Sequence, residues 1–147
     1  MKTEEILRLN EELIDSWNRH DVNRFLSHCD ESLIWRDTAN PLPYKGKDGA
    51  RDFFNHWFRA FPDLNIRVLN RVASESSIGV EVEYSGTHLG HLNNGNGTSG
   101  IAATKRKIIS KGSYFVKARN GKITDVHSYP DMLHLMIQLG ILSEMHR

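Results

Sequence analysis

The chain has 147 residues, of which 39% are hydrophobic and 25% are charged, and its formal net charge is +1. This length and composition predict a single globular domain, residues 1–147, whose core needs neither a metal nor a disulfide for stability. The near-neutral charge argues against general electrostatic binding to nucleic acid or to an anionic membrane surface.

Two features bear on the compartment. The single cysteine, Cys29, excludes an internal disulfide and fits a reducing environment. The N-terminus opens directly into an amphipathic pattern, without the apolar core of a signal peptide, and no apolar run approaches membrane-spanning length. We therefore expect a cytoplasmic protein that does not bind membranes.

The first third of the chain predicts three helices. Thr3 can cap the first, in which apolar residues recur at helical spacing from Ile6 to Trp17. Asp21 is a natural N-cap for a short second helix. The third helix follows Gly46 and carries a broad aromatic face, made of Phe53, Phe54, Trp57, Phe58 and Phe61.

A short strand at Ser32–Asp37 precedes the third helix, and the rest of the chain predicts an antiparallel meander of Leu64–Ala73, Ser77–Leu89, Lys105–Ala118 and Lys122–Tyr129. Asn120-Gly121 is the signal of a type I′ hairpin turn, because both central positions need positive φ. A long polar connection spans residues 93–100, and a last helix at Met132–Leu139 stops at Gly140. This order predicts an α+β fold, in which a strongly bent antiparallel sheet packs on three N-terminal helices and encloses a cone.

The densest group of chemical side chains lies where the last strand meets the last helix. His127, Tyr129 and Asp131 can place a general acid or base in an apolar pocket. Strict alternation puts His127 and Tyr129 on the face of Ile123, although a β-bulge would change which residues point inward. A structural interpretation stays open, because Ser128-x-x-Asp131 has the spacing of a capping box and His127 alone can be a core histidine.

Other residues are candidates for the pocket wall. Alternation along the second long strand points Tyr84 and His88 inward as hydrogen-bond donors. Trp35 and Asp37 lie on the early strand that would line the cone, but Trp35 also suits the core and Asp37 also suits a turn at the strand end. Tyr44 would reach the mouth.

We expect no metal site. The His88-x-x-His91 spacing points its two imidazoles to opposite faces of a strand, and no carboxylate completes a closed set of ligands.

Several segments, in this order, resemble the SnoaL-like polyketide cyclases, or ester cyclases. They are Gly46–Ala50 with Phe53 and Trp57, Ala60–Leu64, Tyr84–Gly90, and Gly121–Ile123 followed by Asp131 and Gln138–Gly140. The resemblance implies the cone-shaped α+β fold of the nuclear-transport-factor-2-like superfamily. It also implies a cofactor-independent intramolecular aldol condensation that closes a ring in a polyketide ester, with an acidic residue as acid/base at the position of Asp131. The chain departs from the family at His127, where an aromatic residue is usual, and at residues 102–107, where many members read Pro-Pro-Thr-Gly-Lys.

The leading hypothesis is therefore a small cyclase or isomerase for a hydrophobic carbonyl substrate, with Asp131 as general base and His127 and His88 as its partners. The substrate would contact Trp35, Asp37, Tyr44, Trp57, Tyr84 and Tyr129. A non-catalytic module that binds a small hydrophobic molecule, and an isomerase of steroid-like enones, are the alternatives. An exposed face on the open sheet predicts a homodimer.

Overall fold

A computed structural model describes residues 2–93 and 100–142. Helices α1 (Thr3–Asn18), α2 (Val22–Ser27) and α3 (Gly46–Ala60) confirm the three predicted N-terminal helices. The Asp21 carboxylate accepts a hydrogen bond from the Arg24 backbone N–H, so the predicted cap of α2 is confirmed. Thr3 is instead the first helical residue of α1, and the backbone N–H of Lys2, the N-cap residue, bonds to the Glu5 carboxylate.

Six strands form the main sheet, in the order β2-β1-β8-β7-β4-β3. Their bounds are β1 Cys29–Asp37, β2 Tyr44–Lys45, β3 Asn65–Ala73, β4 Ser77–Thr87, β7 Lys107–Arg119 and β8 Lys122–Pro130. A two-stranded ribbon, β5 (Leu92–Asn93) with β6 (Gly100–Ile101), flanks residues 94–99. Most of the predicted polar connection therefore lies outside the described residues.

The expectation of a purely antiparallel sheet is wrong for one strand pair. Strand β1 runs parallel to β8, whereas the other neighbouring pairs are antiparallel. The reason is topological: α3 carries the chain from β1 to the far edge of the sheet, and the meander then returns until β8 lies beside β1. Parallel neighbours need such a crossover, which a local sequence pattern does not reveal.

A bulge in the last strand decides which of its residues face the helices. The register between β7 and β8 slips at Thr124, which has no partner residue across the pair. The side chains that follow are therefore turned over relative to strict alternation. His127 and Tyr129 lie on the outer face, where the Tyr129 ring packs edge-on against Phe115 at 6.0 Å, and the inward residues are Val126, Ser128 and Pro130.

The end of the chain combines two confirmed predictions with one correction. Asn120 and Gly121 have φ values of 54° and 77°, as the type I′ turn requires, and Gly140 after α4 (Met132–Gln138) has a φ of 78°. The predicted capping box is wrong, because Asp131 itself is the N-cap and accepts a hydrogen bond from the His134 N–H at 3.0 Å. Ser128 remains within β8.

The core forms where the concave face of the sheet meets α1 and α3. Trp17 packs on Phe54 with ring centroids 4.7 Å apart, and Trp35 stacks on Phe53 at 4.3 Å. Such aromatic pairs contribute packing energy beyond the area that they bury. Within the described ranges, no helix is both long and apolar enough to cross a membrane.

Candidate functional site

A cavity of about 120 Å³ lies between the concave face of the sheet and helices α1 and α3. Its accessible surface is almost entirely carbon, and no lysine, arginine or histidine is among the described residues that line it. Such a space suits an apolar molecule and offers no charge partner to an anionic one. The aromatic part of its wall is Trp17, Phe25, Trp35, Phe53, Trp57 and Tyr84.

Asp37, the last residue of β1, is the acidic side chain in this wall and is only 6% exposed. Its Oδ2 accepts a hydrogen bond from the Ser128 hydroxyl at 2.6 Å, and its Oδ1 accepts one from the Ala39 backbone N–H at 2.8 Å. Burial raises the pKa of Asp37, and the two hydrogen bonds act in the opposite direction. A carboxyl group of this kind in an apolar wall has the environment of a general acid or base.

Trp35 extends this hydrogen-bonded group by one member. Its indole Nε1–H donates to the Ser128 hydroxyl oxygen at 2.9 Å, so the tryptophan, the serine and Asp37 form a continuous chain. The parallel pairing of β1 with β8 produces this arrangement, because Asp37 and Ser128 are register partners. Sequence reasoning missed Ser128, since only the bulge at Thr124 turns it inward.

Tyr84, on β4, contributes a hydroxyl group to the same region. Its ring lines the cavity and meets Trp57 edge-on at 6.0 Å. The hydroxyl is buried beside that of Ser110, and neither oxygen has a hydrogen-bond partner of normal geometry in the described part of the chain. Burial raises the pKa of Tyr84 to about 12, the charges of Asp131 and Asp37 raise it too, and Ser110 opposes them. The phenol therefore stays protonated and able to donate.

Asp131 lies outside the cavity wall, next to Pro130, which is part of that wall. Its side chain is exposed and caps α4. Its charge adds to the rise in the Tyr84 pKa, to which burial contributes most. The predicted general base thus has a structural role as the N-cap of α4, which differs from the capping-box position that the sequence left open.

The two histidines predicted as partners of Asp131 do not join it. His127 lies on the outer face of the sheet, opposite Phe115 in the register of β7 and β8. His88 is fully buried beside Phe61 and accepts a hydrogen bond at Nδ1 from the Thr104 backbone N–H at 3.1 Å. Burial lowers the pKa of His88, which keeps the imidazole neutral. It fixes the segment before β7 to the end of β4 and does not line the cavity.

Four of the predicted substrate contacts, Trp35, Asp37, Trp57 and Tyr84, line the cavity. Tyr44 stands behind the wall, where its ring packs edge-on against Phe53 at 5.2 Å and its hydroxyl accepts a hydrogen bond from Asn40 at 2.8 Å. Tyr129 is on the outer face and is 44% exposed. Among the described residues, no three histidine, cysteine or acidic side chains form a group that could hold a metal ion.

Sequence comparison gives a family match over most of the chain. The family model described as SnoaL-like polyketide cyclase matches residues 7–139. No curated protein sequence matches the chain.

Solved structures show the same fold at low sequence identity. A protein from Jannaschia sp. CCS1, provisionally described as a SnoaL-like polyketide cyclase, has 15% identity and a TM-score of 0.83, and the match covers 96% of this chain and 94% of that one. TsrD from Streptomyces laurentii has 22% identity and a TM-score of 0.81, with coverage of 97% and 99%. An NTF2-like protein from Burkholderia xenovorans LB400 has 16% identity and a TM-score of 0.70, with coverage of 95% and 98%. The fold is therefore nuclear-transport-factor-2-like, and function has to be argued from the site.

Proposed function

Since the chain belongs to the SnoaL-like polyketide cyclase family, we propose that it catalyses ring closure or isomerisation of a small, neutral, hydrophobic carbonyl compound by acid/base chemistry without a cofactor. The observation that carries this proposal is the buried Asp37 carboxyl in the wall of an apolar cavity. Few other chemical groups are available there, so the chemistry has to be one that a single carboxyl group and hydrogen-bond donors can perform.

Asp37 would act as the base. Its carboxylate takes a proton from the carbon next to a substrate carbonyl, and the electron pair of that C–H bond becomes an enolate. The enolate carbon attacks a second carbonyl of the same molecule to form the C–C bond, and the resulting alkoxide takes back the proton from Asp37. An isomerisation uses the same base but returns the proton to a different carbon. Tyr84 supports this scheme, because a protonated phenol can stabilise the enolate oxygen.

The cavity wall also supports the choice of substrate class. It has no described cationic side chain that could pair with a carboxylate or phosphate of the substrate. A carboxylate transferred into this wall would be desolvated without compensation, which is costly. The part of the substrate that enters the cavity is therefore neutral, and we place the reaction in the cytoplasm, where the buried Cys29 thiol would stay reduced.

Asp131 remains the competing acid/base residue, because it occupies the position that the family resemblance implies. Its charge adds to the rise in the Tyr84 pKa that burial causes, and it directly follows Pro130 of the cavity wall. We favour Asp37 because it lies in the cavity wall and because its own burial raises its pKa.

The function is tested by deuterium exchange at the activated C1 position of 2-tetralone, a neutral bicyclic ketone, followed by ¹H NMR in D₂O. We expect the protein to accelerate exchange above the buffer rate, and tetralin, which lacks the carbonyl, to inhibit it by competition for the cavity. No acceleration, although the ketone binds, would reject the enzyme and leave the second candidate function, a binding module, which the nearly all-carbon surface of the cavity favours. A parallel assay with a steroid-like enone distinguishes isomerisation from ring closure.

We propose in addition that the outer face of the sheet pairs two copies of this chain. Phe115, which is 54% exposed, lies over Gly79 on this face, and Val72 and Tyr129 are also exposed there. Glu83 and Lys111 are register partners on the same face, so a two-fold axis can bring opposite charges together.

Phe115→Glu is expected to convert a dimer to a monomer in sedimentation equilibrium at micromolar concentration, because it places a charge at the centre of the apolar contact. The matched control is Leu42→Glu, which changes an exposed loop residue and should leave the association constant unchanged. A wild-type protein that sediments as a monomer would contradict the proposal.

A further inference from the structure

Ser128 has a hydroxyl group whose hydrogen-bonding direction is fixed by its two neighbours. The indole Nε1–H of Trp35 can only donate, so the 2.9 Å contact is a hydrogen bond from the indole to the Ser128 oxygen. The single hydroxyl proton of Ser128 is then directed to the other neighbour, Asp37 Oδ2, at 2.6 Å. The hydrogen bonds therefore run in one direction, from Trp35 to Ser128 to Asp37.

The surroundings of Asp37 make this donor important. The Ala39 backbone N–H after β1 and the Ser128 hydroxyl on β8 donate to its carboxyl, and its charge also acts on two phenols, Tyr44 and Tyr84. Both phenols have raised pKa values because of burial first, with the Asp37 charge adding to the effect. No cationic side chain is among the described residues that line the cavity. Two hydrogen bonds, one from Ser128 and one from Ala39, thus offset only part of the desolvation that burial causes.

We propose that Ser128 is a positioning residue, which holds the Asp37 carboxyl in its orientation and favours its ionised, basic form through a hydroxyl group locked by Trp35. The inference deepens the proposed function and rests on it for the catalytic consequence alone. A serine kept as a donor makes the neighbouring carboxylate available as a proton acceptor, because hydrogen bonds to the charged form favour that form. Without the indole N–H, the Ser128 hydroxyl can rotate, so it donates to the Asp37 carboxylate in only some of its orientations.

The test is an NMR pH titration of the Asp37 side-chain carboxyl ¹³C, assigned by its loss in Asp37→Asn. Ser128→Ala is expected to move the titration midpoint upward, which corresponds to an increase in proton affinity of about tenfold for one lost charge-assisted hydrogen bond. Trp35→Phe keeps the ring but removes the donor, and a smaller shift in the same direction is expected. Ser128→Thr retains the hydroxyl and should restore the midpoint.

Ser113→Ala is the control, because Ser113 lies on the neighbouring strand β7 opposite Tyr129, on the outer face, and makes neither of the hydrogen bonds to Asp37. It should leave the midpoint unchanged. The proposal is overturned if the Ser128→Ala midpoint stays at the wild-type value or moves downward, or if Ser128→Thr behaves like the alanine variant. A folded state is verified for each variant by its thermal melt, and Trp35→Phe with Ser128→Thr keeps the test decisive if Ser128→Ala does not fold.

The outcome is separable from that of the proposed function. An absence of ketone exchange in the wild-type protein would reject the enzyme but would leave the midpoint shifts in place. Unshifted midpoints combined with loss of exchange in Asp37→Asn would reject the role of Ser128 and retain the base. If the enzyme and the role of Ser128 are both correct, the pH profile of exchange should shift upward in Ser128→Ala together with the NMR midpoint. A purely structural serine would not produce this joint shift.

Discussion

Asp37→Asn is expected to slow the deuterium exchange of 2-tetralone by about 10²–10⁴-fold, the usual contribution of a general base. Asparagine keeps the shape of the side chain. Its one oxygen can accept the hydrogen bond from the Ala39 N–H, and its NH₂ group can donate to the Ser128 oxygen, so the cavity should remain intact. It has no basic oxygen for the substrate proton. Michaelis constants measured with the same assay should change little, because the proton is transferred in the transition state and not on binding.

Asp131→Asn is the matched comparison, since it makes the same chemical change at an exposed residue. Asparagine is also a good N-cap, so α4 should keep its start. We expect exchange rates within a few-fold of wild type. If Asp131→Asn instead loses the activity and Asp37→Asn retains it, the acid/base role belongs at the rim of the cavity, at the position that the family resemblance implies.

The same Asp37→Asn variant should be more stable than wild type at neutral pH. Because burial raises the pKa of Asp37 in the folded protein, the folded state holds this proton more tightly than the unfolded state. The wild-type protein therefore loses stability as the pH rises from the ordinary value of 3.8 through the folded value, and asparagine avoids that loss. In urea unfolding, the two proteins should have equal free energies of unfolding in acid. As the pH rises, the free energy of unfolding of the variant should exceed that of wild type by a growing amount. Equal stability at all pH values would show that burial does not raise the pKa of Asp37.

Gly90→Ala is expected to have a large effect on stability, with a loss of about 3 kcal/mol in the free energy of unfolding. A Cβ atom at Gly90 would stand 1.9 Å from the Arg59 carbonyl oxygen, which belongs to the backbone of α3 and cannot rotate away. The Gly90 N–H also bonds to the Ala60 carbonyl at 3.2 Å. The chain after β4 therefore passes too close to the end of α3 for any side chain.

Urea unfolding measures this loss, and Gly121→Ala serves as the glycine control. No atom lies within 4 Å of a Cβ at Gly121, so its cost comes only from a φ of 77°, about 1–2 kcal/mol. A Gly90→Ala variant that loses no more stability than the control would show that the segment after β4 can move away from α3 freely.

Local signals in the sequence located the helices and turns, although they misplaced the N-caps of α1 and α4. The cap at Asp21, the Asn120-Gly121 turn and the stop at Gly140 were all predicted and confirmed, because each depends on the conformational preference of one or two residues. These features are encoded within a few positions of the chain, so no knowledge of distant contacts was needed.

The candidate site divides between the two kinds of information. Alternation along β4 correctly predicted that Tyr84 faces inward. The prediction that Trp35 and Asp37 line the cavity from the early strand is also confirmed. His88 follows the last residue of β4 and is buried beyond the cavity, where its ring lies 5.4 Å from that of Phe61. How far a cavity extends along a strand depends on the packing of another element, which alternation does not describe.

The sequence by itself determined the family, the order of the elements and the apolar character of the cavity wall, because composition, caps and hydrophobic period are local properties. Only the tertiary structure decided that β8 lies parallel to β1, that Thr124 is the bulged residue, and that Ser128 rather than His127 faces inward beside Asp37. The physical reason is that strand register is set by pairing between distant segments, and a one-residue slip turns every later side chain to the opposite face.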